Sequence, residues 1–119
     1  MGLVRRAGLK ILRAVGRDFS IDHHWVRGHQ LRLHAYKHKG YWWHGKRRER
    51  PSMLAAQKLL RADDTVVEVG GHIGYLTSWF AHLAGPNGNV LVFEPSDENY
   101  EYLAVNTAAM PWVSIDRRG

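Results

Sequence analysis

The stretch that most restricts the fold is a β-branched run followed at once by glycines and then by helical periodicity. Thr65-Val66-Val67-Glu68-Val69 has strand length and is apolar enough for a strand buried on both faces. Gly70-Gly71-His72-Ile73-Gly74 follows, and Ile73, Leu76, Phe80 and Leu83 then recur on one side of a helix running to about Ala84. Gly85-Pro86-Asn87-Gly88-Asn89 is turn chemistry. Val90-Leu91-Val92-Phe93-Glu94 reads as a second strand, stopped by Pro95. Ser96 or Asp97 can cap the next helix, which buries Tyr100, Leu103, Ala104 and Thr107 and ends before Pro111. Trp112-Val113-Ser114-Ile115 opens a third strand. Strands and helices in strict alternation require right-handed parallel crossovers, so the expected class is α/β with a parallel sheet.

The first half of the chain differs in kind. Residues 1–61 hold 15 Lys/Arg against three acids (Asp18, Asp22, Glu49), a charge of +12. Residues 62–119 hold two Lys/Arg against eight acids, a charge of −6. The break sets a boundary near Arg61, with a basic N-terminal extension over residues 1–61 and the α/β unit over residues 62–119. Residues 3–17 form an amphipathic helix in which Val4, Ala7, Ile11, Ala14 and Val15 share one face beside Arg6, Lys10, Arg13 and Arg17. Such a helix can pack on the protein, lie on an anionic membrane surface, or act as a targeting peptide.

Residues 23–50 carry six of the eight histidines: His23, His24, His29, His34, His38 and His44. Leu31, Leu33 and Ala35 alternate with polar residues as in a strand, and Gly40 marks a turn before Tyr41-Trp42-Trp43. Pro51 opens a helix to about Ala62 with an apolar face of Met53, Ala56, Leu59 and Leu60. The bases and aromatics of residues 37–50 suit two roles: a hairpin or lid over the α/β unit, or a surface that stacks on nucleic acid or a sugar. The histidine spacings match no zinc-binding pattern, so no metal site is expected. The chain has no cysteine, which excludes disulfides and thiol chemistry and fits a reducing cytoplasm. No apolar run reaches the roughly 20 residues of a membrane span. The expected location is therefore cytoplasmic, with peripheral membrane association through residues 3–17 as the variant.

In a doubly wound sheet, ligands bind where the first strand gives way to its helix. Gly70 frees the chain for a sharp turn, and Gly74 permits close approach of backbone to ligand and sheet. Glu68 can accept from a cofactor ammonium. Glu94, 26 positions on at the end of the second strand, stands where a nucleotide-binding fold places the acid that grips ribose hydroxyls. The spacing Gly-x-x-x-Gly is neither the Gly-x-Gly-x-x-Gly of a pyrophosphate cradle nor a P-loop, which disfavours NAD. Acids before and after the loop suit S-adenosylmethionine (SAM), a nucleoside with an amino-acid tail and no phosphate.

Residues 66–106 resemble the start of an FkbM-family methyltransferase, through Ile73, Gly74, Tyr75, Gly85, Pro86, Gly88, Phe93, Glu94, Pro95, Asn99, Tyr100, Leu103 and Asn106. Glu68, Gly71 and His72 stand where that family more often has Asp, Ala and Asn. The resemblance implies a Rossmann-like class I methyltransferase fold, here its front half, with SAM as cofactor. It also implies methyl transfer to a small-molecule acceptor, usually a sugar or natural-product hydroxyl. By position it implies cofactor contacts from Glu68, Gly70, Gly71, His72, Gly74, Tyr75, Glu94 and Pro95. No catalytic base can be assigned. Such a domain usually continues for four more strands, so the expectation is a fragment or a chain that pairs through its unpaired sheet edge. The alternatives are a non-catalytic remnant whose basic region binds an anionic surface or partner chain, and an RNA methyltransferase.

Overall fold

The computed structural model describes residues 2–119. Its elements run α1 Leu3–Val15, β1 Asp18–Asp22, β2 Gln30–His34, α2 Lys39–His44, a 3-10 turn Gly45–Arg47 and α3 Arg50–Leu59. They continue with β3 Thr65–Val69, α4 Tyr75–Ala84, β4 Asn89–Phe93, α5 Asp97–Thr107 and β5 Val113–Asp116.

β3, β4 and β5 form a parallel sheet in that order, with Glu68 opposite Val92 and Val92 opposite Ile115. Strands laid down consecutively through right-handed crossovers put both connecting helices on one face. Val66 and Glu68 point to that face with Val90 and Val92, while Val67 and Val69 on the other face are 62% and 84% exposed. The apolar run that suggested burial on both faces is thus buried on one.

β1 and β2 make an antiparallel hairpin, with Phe19 opposite Leu33 and Ile21 opposite Leu31. Leu31 and Leu33 are fully buried, each contributing about 1.5–3 kcal/mol. The hairpin packs on α5, where Asn106 stitches it in place. Its Oδ1 accepts from Arg32 N at 2.6 Å, and its Nδ2 donates to Arg32 O and to Ile73 O at 2.8 and 2.7 Å. One buried amide therefore extends the edge of β2 and holds the carbonyl of a glycine-loop residue.

The core runs across the charge boundary. Val26, Leu31, Leu33, Tyr41 and Met53 pack with Ile73, Tyr75, Trp79, Ala81 and Val90. α4 lies at its centre, and Tyr75, Thr77, Ser78, Trp79, Ala81 and Ala84 are buried. Leu76, Phe80 and Leu83, the side expected to face the core, are half-buried. The helix is enclosed by the sheet on one side and by α3 and the hairpin on the other, so its single-sided periodicity understates its burial.

Other expectations shift locally. The N-terminal helix ends at Val15, and β1 follows where helix was expected to Arg17. Gly40 lies inside α2 rather than in a turn, because residues 39–44 turn two of their aromatics inward: Tyr41 is buried and Trp42 Nε1 donates to Ala35 O at 2.8 Å, while Trp43 stays exposed. α3 stops at Leu59. Ser96 caps α5 by accepting from Asn99 N at 3.3 Å, and Tyr100 and Ala104 are half-buried where full burial was expected.

Candidate functional site

At the end of β3 the chain turns through Gly70, whose φ of 82° is left-handed. The Gly70 and Gly71 amides both donate to Phe93 O, at 2.8 and 3.2 Å, so the loop folds over the end of β4. Gly71 packs closely, since a Cβ there would lie 2.4 Å from Val92 Cγ2 and 2.9 Å from Leu103 Cδ2 and would require those side chains to shift. His72 takes an unusual φ of 54°, and its amide donates to Glu94 Oε1 at 2.8 Å. Gly74, with φ 94°, leads into α4.

The two carboxylates lie in different settings. Glu94 is 4% exposed, and its Oε2 accepts from Ser96 N at 3.0 Å. Two backbone amides therefore fix its direction at the carboxyl ends of the strands. Glu68 lies beneath the loop, where Thr77 Oγ1 donates to its Oε1 at 2.5 Å. Burial pushes its pKa up to about 7; the Thr77 hydroxyl pulls the other way and the Glu94 charge adds to the rise.

The glycine loop forms a ridge between two clefts. On one side a cleft of about 820 Å³ opens over the strand ends, lined by Gly70, His72, Phe93, Glu94, Pro95 and Asn99 among others. On the other, a pocket of about 90 Å³ lies between the loop and the N-terminal region, lined by Tyr41, Arg48, Gly70, Gly71, His72 and Tyr75 among others. Gly70, His72, Glu94 and Pro95 thus meet in the first cleft, and Gly71 and Tyr75 belong to the second. Gly74 lies at the start of α4 and Glu68 below the loop, and neither lines these clefts. A separate depression of about 450 Å³ between the hairpin and α5 is lined by two ion pairs and by Glu101. Lys37 Nζ lies 2.6 Å from Glu98 Oε1, and Arg32 Nε lies 3.3 Å from Asp18 Oδ2.

Tyr75 anchors the loop to the N-terminal region. His23 stacks on its ring at 4.5 Å and donates from Nε2 to its carbonyl at 2.8 Å, while His24 Nδ1 lies 3.0 Å from its hydroxyl. His23 Nδ1 accepts from the amides of Trp25 and Val26, both at 3.1 Å, so the ring is held as the neutral Nε2–H tautomer. Burial lowers its pKa to about 4. His29 Nε2 reaches Ser78 Oγ at 3.1 Å. These histidines act as fasteners between the two halves.

Sequence reasoning placed Arg48 and Tyr41 only within a basic, aromatic stretch. The Arg48 guanidinium lies 4.1 Å over the Tyr41 ring, both line the small pocket, and no local spacing announces that pairing.

The arrangement, a parallel sheet with a glycine loop over its strand ends, is a Rossmann-like α/β fold shared with methyltransferases of known structure. A SAM-dependent methyltransferase from Aquifex aeolicus is 22% identical, covers 63% of this chain and 42% of its own, and superposes with a TM-score of 0.52. A candidate rRNA methylase from Clostridium thermocellum is 23% identical over 59% of this chain and 39% of its own, with a TM-score of 0.55. A candidate transferase from Pyrococcus horikoshii is 16% identical over 76% of this chain and 33% of its own, with a TM-score of 0.57. The chain therefore spans between a third and about two fifths of the length of these structures. At these identities the likeness is one of fold. No family model matches the sequence, and no curated protein matches it significantly.

Proposed function

We propose that this chain carries the SAM-binding part of an O-methyltransferase of FkbM type, acting on a sugar or natural-product hydroxyl. The observation that carries the reading is the 820 Å³ cleft over the strand ends, with the glycine loop on one wall and the oriented Glu94 carboxylate on the other. Its volume lies within the range of small-molecule sites. Its chemistry fits the cofactor: Glu94 retains lone pairs for ribose hydroxyls, and Gly70 and His72 leave room for a nucleoside without offering a phosphate cradle. When bound, SAM would supply the methyl group and the positive sulfonium. The protein's part is to hold ribose, tail and acceptor in line, where positioning supplies much of the rate.

Calorimetric titration of S-adenosylhomocysteine, with NAD as the control, tests this. Saturable binding that weakens by about 100-fold in Glu94→Ala supports it, since that change removes charge-assisted bonds of about 1.5–3 kcal/mol each. Binding of NAD in preference, or equal affinity of the variant, would sink it. Methyl transfer to RNA rather than to hydroxylated small molecules, in an assay offering both, would redirect the acceptor toward the basic residues 37–50.

A second reading concerns location, and α1 favours it. No residue of α1 is buried among the described residues, and Leu3, Val4, Ile11 and Val15 are all more than half exposed beside Arg6, Lys10 and Arg13. Among the described residues no helix is long and apolar enough to cross a membrane. A basic helix with a bare apolar face suits the surface of an anionic membrane. Sedimentation with anionic vesicles, lost on removing residues 1–16 and absent with zwitterionic vesicles, is the expected result; unchanged binding by the truncated chain removes the idea.

A further inference from the structure

We propose that Arg48 is the carboxylate-binding residue of the site, holding the amino-acid end of a SAM-class ligand in the pocket between α2 and the glycine loop. The inference rests on the SAM reading of the cleft over the strand ends and extends it across the loop.

Four observations converge. Arg48 Nε is buried and has no hydrogen-bond partner among the described residues. A buried guanidinium N–H without an acceptor is unfavourable and marks a place where an acceptor is missing. Arg48 is also absent from the ion pairs among the described residues, although Glu49 is its chain neighbour. The side chain is held in position: its guanidinium lies 4.1 Å over the Tyr41 ring and so close to the Gly40 backbone that a Cβ there would meet Nη1. The stack orients the fork, which also approaches the Tyr41 hydroxyl: burial raises the Tyr41 pKa and the guanidinium lowers it against that burial, while Nε–H is left without an acceptor. Finally, Arg48 lines the small pocket with Gly70, Gly71 and His72, and it lines an adjoining cleft of about 290 Å³ with His72 and Asn99.

The topology of the clefts supplies the ligand's shape. Gly70 and His72 border both the Glu94 cleft and the Arg48 pocket. A ligand with hydroxyls at one end and a carboxylate at the other can therefore lie across the loop, its hydroxyls at Glu94 and its carboxylate at Arg48. A nucleoside bearing an amino-acid tail has that form. A planar guanidinium binds a carboxylate through two parallel N–H···O bonds, which gives direction as well as charge. On this reading the basic N-terminal region is part of the cofactor site, because it supplies the cation on the Gly71 and Tyr75 side of the loop; on the Glu94 side the cleft is bordered by Arg118, which is already paired with Asp116. The two basic residues of the stretch 62–119, Arg117 and Arg118, are exposed and face Asp97 and Asp116.

The experiment compares two ligands on the full chain: S-adenosylhomocysteine, which carries the tail carboxylate, and methylthioadenosine, the same nucleoside thioether without it. The wild type should bind the first more tightly. Arg48→Gln should weaken S-adenosylhomocysteine by about 10- to 100-fold and leave methylthioadenosine unchanged, erasing the preference. Arg48→Lys, which retains the charge without the fork, should fall between. A merely structural role for the Arg48–Tyr41 stack would weaken both ligands alike, and that result overturns the proposal. So does full preference in Arg48→Gln. Should Arg48→Gln unfold by near-ultraviolet dichroism, the folded Arg48→Lys variant decides: loss confined to S-adenosylhomocysteine supports the proposal, and equal loss of both overturns it. If the wild type binds methylthioadenosine and S-adenosylhomocysteine equally, the nucleoside site stands and the Arg48 assignment falls. Binding of neither ligand overturns the SAM reading, and this assignment with it.

Discussion

Residues 62–119 are organised by backbone ladders and residues 18–61 by side chains that reach across to them. The parallel sheet is joined by hydrogen bonds between β3, β4 and β5, with the glycine loop folded over Phe93. The N-terminal region has a single two-stranded hairpin, which is marginal alone. It gains its place through Asn106, neutral imidazoles on Tyr75 and Ser78, and indole N–H groups on carbonyls. A basic region is thereby docked on an acidic one with few ion pairs, Lys37–Glu98 being one that crosses the boundary. The attachment is made by shape and oriented hydrogen bonds, which salt screens little.

If that account holds, damage to the seam should unfold both regions together. Trp79 is 6% exposed, donates from Nε1 to Met53 O at 2.9 Å, and lies 5.6 Å from Trp25. Trp79→Ala should cost about 3–5 kcal/mol. Urea denaturation followed by dichroism should show one transition moved to lower denaturant. Two separate transitions would mean the regions fold independently.

The next effect separates the regions by pH. Glu68 has a folded pKa of about 7 against an ordinary 4.5. Between those values the folded state holds a proton that the unfolded chain has lost, so this group's contribution to stability falls as pH rises through that window. Glu68→Gln, which mimics the protonated acid, should stabilise the chain by about 3 kcal/mol at pH 8 and by almost nothing at pH 4. An equal effect at both pH values would show that the carboxyl is not held neutral.

The histidine seam has the opposite sign. His23 and His38 both have pKa values lowered by burial from 6.5 to about 4. The unfolded chain takes up protons first, so stability is lost as pH falls from 6.5 toward 4. For His23 the hydrogen bonding agrees, since a proton on Nδ1 would face the amides of Trp25 and Val26. His38 Nδ1 likewise accepts from His34 N at 2.8 Å. Two histidines outweigh one glutamate, and His24 and His29, also lowered by burial, add in the same direction, so stability should fall from pH 7 to 4.5. A melting temperature that rises on acidification would break the assignment of these rings as neutral fasteners.

Much of residues 62–119 was legible because its signals are local. The β-branched run, the loop glycines, Ser96 as cap and Pro95 as strand end each act within a few residues of themselves. The same cannot be said of the histidines, whose partners lie about 50 positions away: His23 and His24 on Tyr75, His29 on Ser78. No spacing rule reports such a contact. Arg48 was hidden for the same reason, because a cation in a run of bases reads as solvated until the fold places it beside Gly70. β1 was missed despite a usable signal, the alternation of Phe19 and Ile21 with Asp18, Ser20 and Asp22. It was obscured by the helix before it, whose basic periodicity runs on to Arg17.

The smallest effect is expected from the segment most unlike the rest. α1 is amphipathic, yet its apolar residues remain exposed, and it touches the body through cation–π approaches such as Arg13 to Tyr36 at 5.9 Å and Arg5 to Trp43 at 5.5 Å. Exposed contacts of this kind contribute about 0.5–1 kcal/mol at most. Removing residues 1–16 should therefore change the stability of the remaining chain by less than about 1 kcal/mol in denaturant, while Trp79→Ala removes several times that. A larger loss would show that α1 is packed in solution and is a third part of the seam. A negligible loss leaves a helix with an apolar stripe and basic flanks that folding does not need, which is the condition under which such a face is available to something outside the chain.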